Sequence, residues 1–124
     1  MTEEKDYIMR MIAQFMKVMT RVLFLKDTKQ YYDAIAELDN LNKMISGFSL
    51  EQMKALGLEG FKYVYDLEKK PDVEKIFCAA KILKEEGLIL ADQGKDTEGA
   101  KSAELSKQLF ELIKDKSSEQ VESN

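Results

Sequence analysis

The side chains able to do chemistry in this chain are those of lysine, arginine, aspartate, glutamate and tyrosine, with a single cysteine, because the sequence contains no histidine. Histidine is the usual general base near neutral pH and the most common metal ligand. Without it, serine and cysteine nucleophiles lack the partner that most often activates them. The sequence also lacks a phosphate-binding glycine loop and the spacing of a calcium-binding loop. We therefore expect a non-enzymatic protein without a metal or a cofactor.

Carboxylates that could bind a cation lie mainly in the second half of the chain: Glu85, Glu86, Asp92, Glu104 and Glu111. A di-iron helical bundle requires Glu-x-x-His pairs, which this chain cannot supply. We expect these carboxylates on solvated faces of helices. The alternative is an enzyme or a small-ligand carrier that uses Glu, Lys and Tyr side chains in a cavity between helices.

A basic stripe marks the first helix, which the pattern predicts over residues 4–25. Its members are Arg10, Gln14, Lys17 and Arg21, separated by four, three and four residues, so they share one face of the helix. Arginine, lysine and amide side chains donate several hydrogen bonds and suit the binding of an anion. The other interpretation is a solvated helix face, since charged outward faces are the norm.

Apolar residues fill most of the remaining positions of this helix, and they form an arc wider than one core-facing stripe requires. Either the helix is covered on several sides, or part of it meets another chain. Met9, Met16 and Phe24 are the candidate interface residues. Four of the seven methionines lie on this helix. Their flexible thioethers suit core or homodimer packing, and they also suit an adaptable partner groove.

Charge and composition narrow the range of partners and locations. The net charge is −4, and the first thirty residues carry an excess of only two positive charges, so we expect no nucleic-acid binding. No apolar run approaches the roughly 20 residues needed to cross a bilayer. The sequence starts with polar and acidic residues, and its one cysteine, Cys78, lies in an apolar stretch. We expect a cytoplasmic protein in which Cys78 is buried.

Helical periodicity runs through the chain between glycine and proline breaks, which predicts an all-α fold with about five to six helices. Ser49 and Gln52 have the spacing of a capping box, and Asp27 and Thr97 are candidate caps for other helices. The later breaks fall at Gly57, Pro71 and Gly94, and Gly47 ends the second helix.

The longest later helix is predicted over residues 73–92, with Phe77 on its core-facing side, and the last over residues 98–114. We expect one helical domain over residues 1–115 and a flexible tail over residues 116–124.

Two stretches have the pattern of a helical hairpin. In the first, Val18, Val22 and Leu25 are followed by Ala34, Leu38 and Leu41; in the second, Leu83, Gly87 and Leu90 are followed by Gly94, Ala100 and Ala103. The second stretch resembles the tetratricopeptide hairpin, in which small residues let paired helices approach closely. The chain is also similar to small uncharacterised proteins of Gram-positive bacteria, a family without an assigned activity.

The tetratricopeptide resemblance implies antiparallel helical hairpins and a role in binding a protein segment or in self-association. In such folds the first helix of each pair lines a concave face, where basic and amide side chains can hold the terminal carboxylate of a peptide. The resemblance therefore implies that the basic stripe is a candidate peptide site, and it implies no reaction.

Overall fold

The computed structural model describes residues 2–66 and 73–122, with side chains described over residues 5–63 and 73–114. The described residues form five helices and no strand, so the all-α prediction is confirmed. The helices are α1 (Thr2–Asp27), α2 (Tyr31–Ser46), α3 (Leu50–Asp66), α4 (Val73–Asp92) and α5 (Asp96–Glu122). The break expected at Pro71 lies outside the described residues.

The turn between α1 and α2 is built without the expected cap. Asp27 is the last residue of α1, and α2 starts after Gln30 without a side-chain cap, so the capping role predicted for Asp27 is wrong. Instead, the amide of Gln30 donates to the carbonyl of Leu25 over 2.8 Å, and Lys29 adopts a left-handed φ of +63°. This is a Schellman-type stop, which usually requires glycine at the left-handed position.

The turn between α2 and α3 follows the sequence prediction closely. Gly47 has a φ of +84° and closes α2. The Gln52 amide then donates to the Ser49 hydroxyl over 3.0 Å, and the Ser49 amide donates to the Gln52 side-chain carbonyl over 2.9 Å. This reciprocal pair is the predicted capping box. Gly57 then interrupts α3 with a non-helical backbone (φ +64°, ψ −174°), so Leu50–Asp66 consists of two helical segments that meet at the break predicted there.

The hairpin of α4 and α5 is the closest helix pair of the fold. Gly94 forms the turn with a φ of +82°. A methyl group added at Gly87 would lie 2.9 Å from the carbonyl oxygen of Gly99, and one added at Gly99 would lie 2.8 Å from that of Gly87. The two backbones therefore pack directly against each other, as the small residues of this stretch predicted.

The ends of α4 match the prediction, but those of α5 do not. The helix α5 begins at Asp96, so Thr97 lies inside its first turn and is not the cap. Its backbone continues as a helix to Glu122, beyond the predicted end at residue 114. The last helix therefore runs well past the end of its apolar pattern.

One apolar core receives residues from all five helices. Helix α1 contributes Met11, Phe15 and Val22, and Val18, Met19 and Leu25 pack beside them partly buried. The other helices add, among others, Leu38, Leu41, Phe61, Ile82, Leu83, Ile89 and Leu109. Cys78 is also buried, as expected. The face of α1 that enters the core is narrower than its apolar arc, so other apolar residues of this helix stay outside.

Candidate functional site

The apolar residues that α1 leaves exposed lie mainly along one side of the helix. Met9 is 59% exposed and Met16 is 62% exposed, and Ile12 and Leu23 are also exposed. At 100° per residue these four side chains fall within about 60° of one another around the helix. We call these four residues the α1 strip. It borders the core-facing side of α1 and runs along the helix for four turns.

The α1 strip continues onto α4 and α5 through an apolar groove. The groove has a volume of about 320 Å³ and is lined by Ile12, Phe15, Met16, Val73, Glu74, Phe77, Cys78 and Ile113. Phe77 is nearly half exposed, although the sequence pattern placed it on the core-facing side of its helix. Its ring packs edge-to-face against Phe110 with a centroid distance of 5.9 Å. We call the α1 strip together with Phe77 and Ile113 the interaction face.

Phe77 lies ten residues before the close contact of α4 with α5. Their contact at Gly87 and Gly99 needs no large side chain. Towards the start of α4 the pair accommodates two aromatic rings instead, one from each helix. The ring of Phe77 also lines the apolar groove together with Ile12 and Met16 of α1, so it extends the apolar surface of the α1 strip.

The basic stripe of α1 lies on the other side of the helix. Arg10, Gln14, Lys17 and Arg21 are all exposed. Arg21 donates a hydrogen bond from Nη1 to Oε1 of Glu37 over 3.3 Å, and Arg10 reaches the backbone carbonyl of Asp6 over 3.4 Å. Two members of the stripe are therefore engaged by groups of the chain itself, and a ligand would have to displace these weak, exposed contacts.

Phe24 does not join the other two predicted interface residues. It is 62% exposed, but it lies about 60–80° around the helix from Met9 and Met16, on the flank that carries Lys17. The structure thus brings Met9 and Met16 together with Ile12 and Phe77. It leaves Phe24 outside this surface.

A polar cluster joins three helices on another side of the molecule. Glu86 is 4% exposed. Its Oε2 lies 3.1 Å from Nζ of Lys54, and its Oε1 accepts a hydrogen bond of 2.7 Å from the hydroxyl of Ser102. The prediction that Glu86 lies on a solvated face is wrong. The sequence pattern of α4 could not show this burial, because the partners of Glu86 lie on α3 and α5.

The polar cluster borders a cleft between α2, the start of α3 and the tip of the α4–α5 hairpin. The cleft has a volume of about 570 Å³, and Tyr32, Lys54 and Glu86 are among the residues that line it. A second and larger groove of about 690 Å³ runs along the outer side of the α4–α5 hairpin, over Gly87 and Gly99.

Two further findings concern the described residues alone. No group of three acidic or cysteine side chains among them is placed to hold a metal ion. None of their helices is long and apolar enough to cross a membrane. No protein-family model matches the chain, and no curated protein or solved structure is significantly similar to it.

Proposed function

We propose that this protein is a non-enzymatic interaction module that binds a protein surface, its own copy or another chain, through the interaction face. The observation that carries the proposal is the continuity of exposed apolar groups from Met9, Ile12 and Met16 on α1 to Phe77 on α4. Burial of such groups is the main favourable term in most protein association.

The size of the interaction face supports this proposal. The α1 strip and Phe77 expose about 500 Å² of residue surface, if a fully exposed large residue presents about 200 Å². A standard interface buries about 800 Å² per partner, of which about 60% is apolar. The interaction face therefore supplies the apolar part of one ordinary protein interface.

The resemblance to tetratricopeptide hairpins is part of the same proposal. The direct backbone contact between Gly87 and Gly99 and the turn at Gly94 support a hairpin of that kind in α4 and α5. A cytoplasmic location also belongs to the proposal, since the single cysteine is buried in an apolar setting.

The experiment that tests the proposal compares two methionine variants by light scattering after gel filtration. Met16→Glu places a charge in the interaction face. Met44→Glu is its matched control, because Met44 is 56% exposed on α2. Met44 lies two turns after Glu37, whose contact with Arg21 places that side of α2 next to the basic stripe.

We expect Met16→Glu, and not Met44→Glu, to lower the mass of the assembly or to abolish capture of a partner by the immobilised chain. Circular dichroism checks that both variants keep the helical content of the wild type. A Met16→Glu chain that binds as the wild type does would refute the role of the interaction face.

A second candidate function is a small-ligand carrier or enzyme at the cleft beside Glu86. The favouring observation is that a buried carboxylate, Lys54 and Tyr32 border one cleft of a size usual for small ligands. A metabolite that binds there must raise the melting temperature. The same metabolite must no longer raise the melting temperature of the Glu86→Gln variant. If no metabolite in a screened panel behaves in this way, this candidate has no support.

A further inference from the structure

Two opposite charges lie at the two ends of the α1 strip. Lys5 is one turn before Met9, Asp27 is one turn after Leu23, and both are exposed. By helical geometry both residues fall on the same side of α1 as the four apolar residues. The exposed side of α1 therefore starts with a cation, continues with apolar side chains, and ends with an anion.

The order of these residues is symmetric about Met16. Lys5 and Asp27 are both eleven positions from Met16, and Met9 and Leu23 are both seven positions from it. An antiparallel copy of α1, related by a twofold axis beside Met16, places Lys5 opposite Asp27 of the other copy. The same arrangement places Met9 opposite Leu23 of the other copy. A twofold interface requires this kind of self-complementary surface.

We propose that the occupant of the interaction face is a second copy of this chain, bound through antiparallel packing of α1 against α1 with the twofold axis beside Met16. This inference rests on the proposed function and specifies its partner. Each copy contributes one Lys5 and one Asp27, so the dimer contains two intermolecular charge pairs. A parallel pair would instead bring equal charges together at both ends, which disfavours that orientation.

The groove beside Met16 provides space for the partner. The axis passes next to this groove, which Ile12, Phe77 and Ile113 line. The Met16 side chain of each copy can enter the groove of the other, and its flexible thioether suits a cavity of irregular shape. Opposite Ile12 the second copy places Thr20, a smaller side chain whose hydroxyl already donates to the Met16 carbonyl over 2.9 Å.

The test uses single cysteines and a short bis-maleimide cross-linker in a Cys78→Ala background. Facing positions on packed helices are bridged by a reagent that spans about 8–10 Å. One sample mixes Met9→Cys chains with Leu23→Cys chains, which carry a mass tag. The other samples contain either variant alone. The matched control mixes Met9→Cys with Phe24→Cys, because Phe24 is exposed but lies off the α1 strip.

We expect the mixture of Met9→Cys and Leu23→Cys to give several-fold more cross-linked dimer than either variant alone or the Phe24→Cys control. Stronger self-linking of Met9→Cys would overturn the antiparallel arrangement. In addition, Lys5→Glu should weaken the dimer several-fold, and the double variant Lys5→Glu/Asp27→Lys should restore it. Failure of this rescue would contradict the charge pairing.

The outcomes separate this inference from the proposed function. A chain that stays monomeric at high concentration, yet binds another protein in a Met16-dependent way, overturns the second copy as occupant and leaves the proposed function standing. A dimer that is insensitive to Met16→Glu and gives no cross-links along the α1 strip uses another surface. That result overturns this inference, and the proposed function falls with it if Met16→Glu also leaves the binding of any other chain unchanged.

Discussion

The direct contact between the backbones of α4 and α5 makes Gly87→Ala a sharp test of the fold. The added methyl group would lie 2.9 Å from the Gly99 carbonyl oxygen and 3.3 Å from the Ala103 amide nitrogen. Ordinary contacts of this kind are about 0.5 Å longer, and both obstacles are backbone atoms that cannot rotate away. The two helices must therefore separate along the whole hairpin.

The expected cost follows from two opposing effects. Overpacking of a close contact costs about 1–3 kcal/mol of unfolding free energy. Replacement of glycine by alanine inside a helix returns about 1 kcal/mol through its higher helix propensity. Because the nearest obstacle is a backbone atom at 2.9 Å, the cost falls in the upper part of its range. We expect a net loss of about 1–2 kcal/mol, which lowers the melting temperature of a chain of this length by about 4–8 °C.

Thermal unfolding followed by circular dichroism measures this effect. Gly60→Ala in α3 is the control, because its methyl group would meet only the side chain of Leu56, at 3.1 Å. We expect it to cost less than half as much. The double variant Gly87→Ala/Gly99→Ala should lose less unfolding free energy than the two single variants together. Once the helices have separated to admit one methyl group, they have room for the other. A Gly87→Ala protein as stable as the wild type would refute the direct backbone contact.

Three further changes test the remaining stabilising contacts by the same measurement. Ser49→Ala removes a side-chain cap of α3 and should cost about 1 kcal/mol, whereas Ser49→Asp should keep most of it; equal losses would contradict the capping box. Ser102→Ala removes a hydrogen bond from the buried carboxylate of Glu86 and should cost about 1–3 kcal/mol; an unchanged stability would show that the carboxylate is solvated. Lys29→Gly relieves a left-handed φ and should add about 0.5–1 kcal/mol; a loss of stability would rule out that conformation.

Local signals explain most of what the sequence could predict about this fold. The capping box of Ser49 and Gln52 and the stops at Gly47 and Gly94 depend on residues close to one another in the chain. The expected cap at Asp27 failed because α1 ends two residues later than predicted and a Schellman-type turn at Lys29 takes over. Such turns usually have glycine at the left-handed position, so the lysine at position 29 did not indicate one.

Tertiary packing decides what the sequence could not predict. The width of the apolar arc showed that α1 carries more apolar surface than a core needs, but not which side stays outside. That side depends on where α4 and α5 pack, which leaves Met16 exposed and brings Phe77 next to it. The burial of Glu86 likewise depends on Lys54 and Ser102, which lie 32 and 16 residues away in sequence.

For the basic stripe, too, the sequence predicted the position of the residues but not their tertiary contacts. Its spacing correctly placed Arg10 and Arg21 on one exposed face. The helical pattern could not predict the contact of Arg21 with Glu37, because Glu37 lies on the neighbouring helix. Whether the stripe holds a peptide carboxylate stays a prediction. The interaction face, in contrast, combines exposed apolar side chains with an apolar groove, and both suit burial against a partner.

The most direct test of the central claim is a dilution series of the chain with ¹³C-labelled methionine methyl groups, followed by NMR. If the interaction face binds a second copy, the methyl signals of Met9 and Met16 must shift together as the dimer dissociates. The signals of Met44, exposed on another helix, and of Met53, buried in the core, must stay in place. Signals of Met9 and Met16 that do not change while those of Met44 do would contradict self-association through α1.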